Sequence, residues 1–476
     1  MIGLYIGLGV LGLLILIVFV KTIQFKPVLY PEMKKKYSID EKRVIENLSE
    51  KIKIPTISNL DSKKIDHHAF TAFKEHLKTH YPLINEQSTY QEIGTGVMFH
   101  IKGLSNEEPT VLMAHFDVVP VDGKWTFEPF SGDVDESYVY GRGTLDTKHS
   151  LNAIMEAVEY SLSQGKIFKN DLYICFSGEE EIYGDTQKQM VEYFKANEIN
   201  PYMVLDEGGA IVSNMFPGVS KKVAVVGIAE KGFMNLKLTA FSKGGHASTP
   251  PKDTALTVLS KAVLRLNRTK QFKLKLTEPV RTLFDTLAPY SKSFPIRMIF
   301  ANLWLFTPVV KLIAKLSGGE ILSMFKTTQA FTVSQASDAI NVLPTSASVG
   351  INYRLRPHET SDQVVKKIKK IIKNDDIKIE VIKVSEATST SVVDEVFGVV
   401  RQAIKKTWPE VIVTPYLIVA TSDSRHYHEI CDRVYKFSPM DVSKDDLKLI
   451  HGEDEKISID NVIHGVYFYL SLIEKL

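Results

Sequence analysis

Four groups of imidazole and carboxylate residues stand out along the chain: His115-Phe116-Asp117, Asp146 after the Gly141-Arg142-Gly143 loop, Glu179-Glu180-Glu181, and Asp206-Glu207 ahead of Gly208-Gly209. Two His-Gly pairs, His451-Gly452 and His464-Gly465, follow near the end. Brought together, several carboxylates repel one another strongly unless a cation lies among them. Imidazoles and hard oxygen donors suit a hydrolytic metal such as zinc. Only two cysteines occur, Cys175 and Cys431, too few for a thiolate zinc site or a disulfide framework, so His and carboxylates must hold any metal. Each group taken singly has a plainer reading: a satisfied core histidine with a capping aspartate, or glutamates on a solvated surface. Their coincidence at successive strand ends outweighs it.

Apolar runs over 110–114, 172–177 and 203–205 alternate with helix-like stretches over 150–163 and 186–197. That alternation predicts βαβ units around a mainly parallel sheet, whose ligands bind beyond the carboxyl ends of the strands. Side chains two apart on a strand share a face, so Asp117 is placed to orient His115 from behind the metal. From about Gly232 the texture changes, with strand-like 234–241, 346–354 and 377–384 and helix-like 254–266 and 363–373. These predict an inserted α+β lid over 232–385, splitting an α/β catalytic domain over 27–231 and 386–476, behind an N-terminal segment 1–26. An amphipathic helix is expected from Ser458.

The 476 residues are 44% hydrophobic and 24% charged, which is ordinary for a folded chain and long enough for two or three units. Basic and acidic residues nearly cancel, 58 against 56, so no global field points to nucleic acid. No period of about 20–50 residues recurs, which excludes solenoids and propellers. Residues 2–20 are apolar without interruption, and as a helix they come close to spanning a hydrocarbon core of about 30 Å. No Lys or Arg precedes the run and no small-residue cleavage pattern follows it, which predicts an uncleaved single-pass membrane anchor rather than a signal peptide. Lys21, Lys26, Lys34, Lys35 and Lys36 lean toward a cytoplasmic catalytic domain, but long domains translocate regardless of charge, so the side stays open.

The motifs at 113–120, 140–148, 179–184 and 205–209 resemble, in order, those of the co-catalytic zinc exopeptidases that include carboxypeptidase S, aminoacylase and succinyl-diaminopimelate desuccinylase. The resemblance covers about 45–476 and is strongest to the branch of carboxypeptidase S and the N-fatty-acyl-amino-acid hydrolase-synthases. It implies a zinc-exopeptidase fold with an inserted lid through which a homodimer can form, and two Zn2+ per subunit, with Co2+ or Mn2+ as alternatives on the same ligands. His115, Asp146, Glu181, Asp206 and His451 match the metal ligands, with Asp146 the bridging one, and Glu180 matches the general base. The three glutamates leave a choice of register. Placing Gly184 on the family's glycine makes Glu179 stand for a leading Asp; the register one residue earlier is the alternative. Thr147 replaces a second Asp often found after the bridging one.

His451 stands in a loop ahead of the last helix, as the family places its final ligand, whereas His464 falls inside that helix and would need the element re-aimed. In the insert, His246 of Gly244-Gly245-His246 matches the residue that stabilises the oxyanion, and Asn341 the substrate-binding amide. Arg425 matches the residue that grips the substrate carboxylate, a group a guanidinium fork suits; Arg354 and Arg356 are further candidates.

The expected activity is hydrolysis of the amide bond in peptides or N-acyl amino acids with a free carboxylate. A dipeptidase or small-metabolite deacylase is the competing enzyme. A membrane-tethered binding protein without catalysis is disfavoured, because no named position is missing. Residues 295–316 pose a separate question: they are almost wholly apolar, with only Arg297 and Lys311 charged before Lys315. Three readings are open, namely lid core, an acyl-chain pocket, or a surface that rests on a bilayer.

Overall fold

The computed structural model describes residues 2–27 and 37–476; Lys34, Lys35 and Lys36 of the charge argument lie outside these. A mixed, mainly parallel ten-stranded sheet forms the main body. At its centre, Ser105–His115 lies parallel between Asn170–Ser177 and Met203–Asp206, with His115 opposite Ser177 and Leu112 opposite Leu205. Val111 to Ala114 and Leu172 to Phe176 are buried on both faces, as continuous apolar runs require in a covered parallel sheet. The register aligns three carboxyl ends on one edge, so His115, the residues after Ser177, and Asp206 emerge together. Helix Lys148–Ser163 is buried along nearly its whole length, between the sheet and the helices Glu41–Ile52 and Ile459–Ile473. Thr186–Ala196 covers the opposite face through Met190 and Phe194.

The hairpin Ser88–Ile93/Gly96–Ile101 adds antiparallel strands to one side and has no counterpart in the sequence reading. A second sheet is antiparallel throughout, in the order Thr328–Gln335, Ser346–Leu355, Gly232–Phe241, Lys378–Ser385. Alternate residues of Ser346–Leu355 are buried against Ala255–Arg268 and Ser361–Ile372, which form a separate core around Leu236, Leu259, Ile351 and Ile368. The helices Glu278–Leu287, Phe294–Ala301, Leu303–Ser317 and Gly319–Phe325 interrupt this unit in sequence but not in space. Their buried residues, among them Leu283, Phe284, Phe300, Val310 and Phe325, join the core of the main body, and Glu278–Leu287 packs on Ile412–Ile418. The inner side of the apolar 295–316 stretch is therefore main-body core rather than lid core. The helix Ile2–Gln24 is long and apolar enough to cross a membrane, and only Val18 and Thr22 of it are buried.

Candidate metal centre

At the shared strand edge one carboxylate stands between two imidazoles. His115 Nε2 lies 3.0 Å from Asp146 Oδ1, and His451 Nε2 lies 3.1 Å from Asp146 Oδ2. His451 Nε2 is also 3.0 Å from Glu181 Oε1. Behind His115, the ring Nδ1 is 3.0 Å from the Asp117 carbonyl and 3.4 Å from its carboxylate. That carboxylate accepts the backbone N–H groups of Glu180 and Glu181 at 3.0 and 3.1 Å, so Asp117 orients both the imidazole and the glutamate turn. Asp206 ends the neighbouring strand, fully buried, and accepts the Ser424 N–H at 2.9 Å. His464 lies elsewhere, with its ring 5.6 Å from that of Trp408.

Local constraints explain these placements. Glu179 is taken up in structure: Oε1 accepts the Thr186 N–H at 2.7 Å and hydroxyl at 2.6 Å, which ties down the start of the following helix. A Cβ on Gly184 would come within 2.1 Å of the Glu179 side chain, so the turn needs glycine there. Glu180 and Glu181 are the two that face the cavity. Across the site, Glu455 accepts the N–H groups of Gly143 and Leu145 at 3.1 and 2.8 Å and pairs with Arg142 at 2.6 Å. Arg142 also donates to the Gly452 carbonyl at 2.9 Å. This buried pair joins the loop that carries Asp146 to the loop that carries His451, whose own φ of 60° is a left-handed conformation rare outside glycine.

The electrostatics are those of a cation site. Burial raises the Glu181 carboxyl to about 7, with Asp146 nearby adding to the effect. Burial likewise pushes Glu180 and Glu207 well above the ordinary carboxylate range. For Asp146, burial acts upward but the bonds to His115 and His451 overcome it and hold the group well below its ordinary value. The bonds to Asp146 and Glu181 raise His451 to about 10. Burial alone would lower His115, yet its bonds to Asp117 and Asp146 raise it well above the usual imidazole value. Crowded carboxylates drawn up to two imidazoles mark where cationic charge is needed. Nitrogen and oxygen donors of His115, Asp146 and Glu181 lie within 4.8 Å of one another, so the donor set fits a metal.

A cavity of about 300 Å3 opens on this cluster, lined by Asp146, Glu180, Glu181, Glu207, Arg354 and His451 together with Ile418, Met440 and Ile450. Arg354 bonds the Tyr183 hydroxyl at 3.5 Å, and its buried Nη1 has no hydrogen-bond partner. Arg425 is committed elsewhere, donating to the Ser422 carbonyl at 2.7 Å with Asp423 at 3.5 Å. Arg356 is buried beside Glu359. His246 and Asn341 are brought together by the short Gly245–His246/Val342–Leu343 pairing; both are exposed, and neither lines the cavity. Sequence reasoning noted Glu207 beside Asp206 but gave neither it nor Glu455 a role. The first was signalled by a second carboxylate directly after Asp206, whereas the second had only its acidic neighbours and no local sign of burial.

Comparison with known proteins decides the family. Residues 111–475 match the model of peptidase family M20/M25/M40. The chain belongs to this family. It is 34% identical over 449 residues to a probable carboxypeptidase S-like protein of Dictyostelium discoideum, covering 92% of this chain and 86% of that one. It is 34% identical over 441 residues to an N-fatty-acyl-amino acid synthase/hydrolase of Bos taurus, covering 90% and 87%. The fold is similar to a metallo-carboxypeptidase from Sulfolobus solfataricus, with a TM-score of 0.68 at 17% identity over 90% of this chain and 98% of that one. Human carnosine dipeptidase 1 follows at a TM-score of 0.63 and 13% identity, covering 91% and 96%. The chain is thus a hydrolytic enzyme of a metal-dependent peptidase family with an α/β fold.

Proposed function

We propose that the cluster holds two zinc ions and that the chain hydrolyses the amide bond of N-acyl amino acids or peptides with a free carboxylate. The observation that carries this is the position of Asp146, with one oxygen toward each imidazole. His115 and Asp206 would share one ion, Glu181 and His451 the other, and Asp146 both. When bound, such a pair polarises the scissile carbonyl and supplies hydroxide near neutral pH. Glu180, buried on the cavity wall, would take the water proton and return it to the leaving amine. Asp117 keeps His115 and the Glu180 backbone in place. Arg354 is better placed than Arg425 to receive the substrate carboxylate, since it lines the cavity with an unpartnered guanidinium nitrogen. His246 and Asn341 would approach the substrate from the inserted sheet, which we read as a lid, with dimerisation through it as the alternative route. Ile2–Gln24 would be a single-pass membrane anchor.

The name of the Bos taurus relative favours N-acyl amino acids and that of the Dictyostelium discoideum relative a carboxypeptidase substrate, while a cavity of about 300 Å3 also accommodates a dipeptide, the second reading. Profiling the metal-reconstituted full-length chain over N-acyl amino acids and dipeptides separates them. Each buried methylene contributes about 0.8 kcal/mol, nearly fourfold in binding, so kcat/KM should climb from acetyl to long acyl chains. A flat profile with faster dipeptide cleavage would favour the dipeptidase.

A further inference from the structure

We infer that Phe294–Ala301 and Leu303–Ser317 form an elbow seated in the bilayer beside the N-terminal helix, so that the chain meets the lipid surface at two places. The inference rests on the anchor reading of Ile2–Gln24 and adds a second, non-spanning contact. The two helices meet at 118°. Their inner residues pack into the main core, but the outer face of the second helix is apolar too: Trp304, Val309, Leu312 and Leu316 are 50, 37, 54 and 78% exposed. Trp304, Pro308, Leu312 and Leu316 recur every fourth residue and so form one stripe along the helix. A helix facing water carries polar residues on that side.

Depth identifies what covers this stripe. Asn302, fully buried at the elbow, donates to the Val18 carbonyl at 3.3 Å and to the Thr22 hydroxyl at 3.2 Å. The ring of Phe294 lies 6.2 Å from that of Phe19, and Arg297 donates to the Phe25 carbonyl. Val18 and Phe19 belong to the last uncharged turn before Lys21. Val18 lies about 4.5 Å of axis from Lys21, the first charged residue, and about 9 Å from the helix end at Gln24, at about 1.5 Å per residue. An element bonded to Val18 and packed on Phe19 therefore reaches the depth, about 5–10 Å, at which interfacial helices bury their apolar face.

The polar groups agree with that plane. The Asn302 amide donors are spent on Val18, Thr22 and the Met298 carbonyl, so lipid is not asked to solvate them. Exposed Lys21, Lys26, Lys292 and Lys315 flank the elbow, where anionic headgroups attract basic residues. Beside the anchor's end, a cavity of about 410 Å3 is lined by Lys26, Arg401 and Lys405 with Asp285 as the one acidic group. A water-soluble protein partner would not need the elbow at the depth of the anchor's apolar turn; a bilayer does. Substrates with long acyl chains would then share the membrane that holds the enzyme.

The test uses spin labels on the full-length chain in phosphatidylcholine vesicles containing a minor fraction of phosphatidylserine. Leu312→Cys and Leu316→Cys are exposed positions, while the native Cys175 and Cys431 are buried. Labels at both should lose collisions with a water-soluble nickel chelate and gain collisions with oxygen, as a label at Leu11→Cys in the anchor does. A label at exposed Asp375→Cys on the inserted unit should keep its nickel collisions. If Leu11 is shielded while 312 and 316 behave like 375, the elbow inference is overturned and the anchor stands. If Leu11 itself meets nickel, the anchor reading falls, and the elbow with it.

Discussion

The edge of the main sheet and the tip of the inserted sheet both carry residues assigned to the reaction, yet they are built in opposite ways. At the main edge, His115, Asp117, Glu180 and Asp206 are buried: the Asp117 carbonyl meets the His115 ring, the Asp117 carboxylate accepts the Glu180 N–H, and Asp206 accepts the Ser424 N–H. At the inserted tip, His246 and Asn341 are exposed on a pairing of two residues per strand. The groups that must gather cationic charge are fixed before any ligand arrives, because crowded carboxylates tolerate little displacement. The groups that would touch a developing oxyanion ride on a sheet with its own core, and their distance from the cluster depends on how the two units sit.

The largest effect that could break this contrast comes from Glu180. Glu180→Gln should lower kcat by about 10²–10⁴-fold, the range for a lost general base, while metal analysis finds the ion content unchanged. Glu181→Gln and His451→Ala should each lose metal. Depletion in the Glu180 variant but not the Glu181 variant would shift the register by one residue and return Glu179 to the chemistry.

Next comes the buried tie between the two loops. Glu455→Ala leaves Arg142, 2% exposed, without its partner, and breaking such a pair costs about 3–5 kcal/mol. Denaturant unfolding should show a loss of that size, and a change below about 1 kcal/mol would mean that water or another acceptor replaces Glu455. Glu455→Gln keeps an acceptor for the Gly143 and Leu145 N–H groups and should fall between.

What could be read beforehand follows the same division. The central strands were legible because a strand covered on both faces is continuously apolar: 172–177 and 203–205 come within two residues of Asn170–Ser177 and Met203–Asp206, whereas 110–114 misses the first five residues of Ser105–His115, of which the first four are polar and not buried. The placement of His115, Glu181 and Asp206 at one edge was legible because polar residues stop such runs, and that of Asp146 from the Gly141-Arg142-Gly143 loop before it. Glu455 was not, since its partners Arg142 and Gly143 are more than three hundred residues away and nothing local says that the charge is buried. The helices between Glu278 and Phe325 failed for a related reason: their apolar faces announce burial but not which sheet they meet. Arg354 and Arg425 could be told apart only by what each guanidinium already bonds.

A smaller effect tests the inserted tip. His246 is exposed, bonded to the Ser248 hydroxyl at 2.7 Å, and does not line the cavity at the metal cluster. His246→Ala should leave stability within about 0.5 kcal/mol and metal content unchanged, while kcat falls by about 10²-fold if the imidazole serves the oxyanion. Unchanged kcat would confine the inserted unit to a structural part in this chain.

The last effect, spread over several pH units, concerns how much buried charge the main body carries. Lys51 is fully buried, donating to the Asn47 carbonyl at 3.2 Å, the Tyr81 hydroxyl at 2.7 Å and Asn152 Oδ1 at 2.9 Å. Burial pushes its amine from 10.5 down to about 7, against the upward pull of Glu156. Below about pH 7 the amine is protonated in folded and unfolded chains alike, so its contribution to stability does not change with pH. Between about 7 and 10.5 the unfolded chain binds the extra proton, and stability rises with pH relative to a chain without the amine. The stability difference between wild type and Lys51→Met should therefore move in favour of wild type by up to about 1.4 kcal/mol per pH unit across that window. A flat difference for Lys51→Met would mean that Glu156 holds the amine protonated throughout, and the main body would then contain a permanent buried ion pair in place of a titrating lysine.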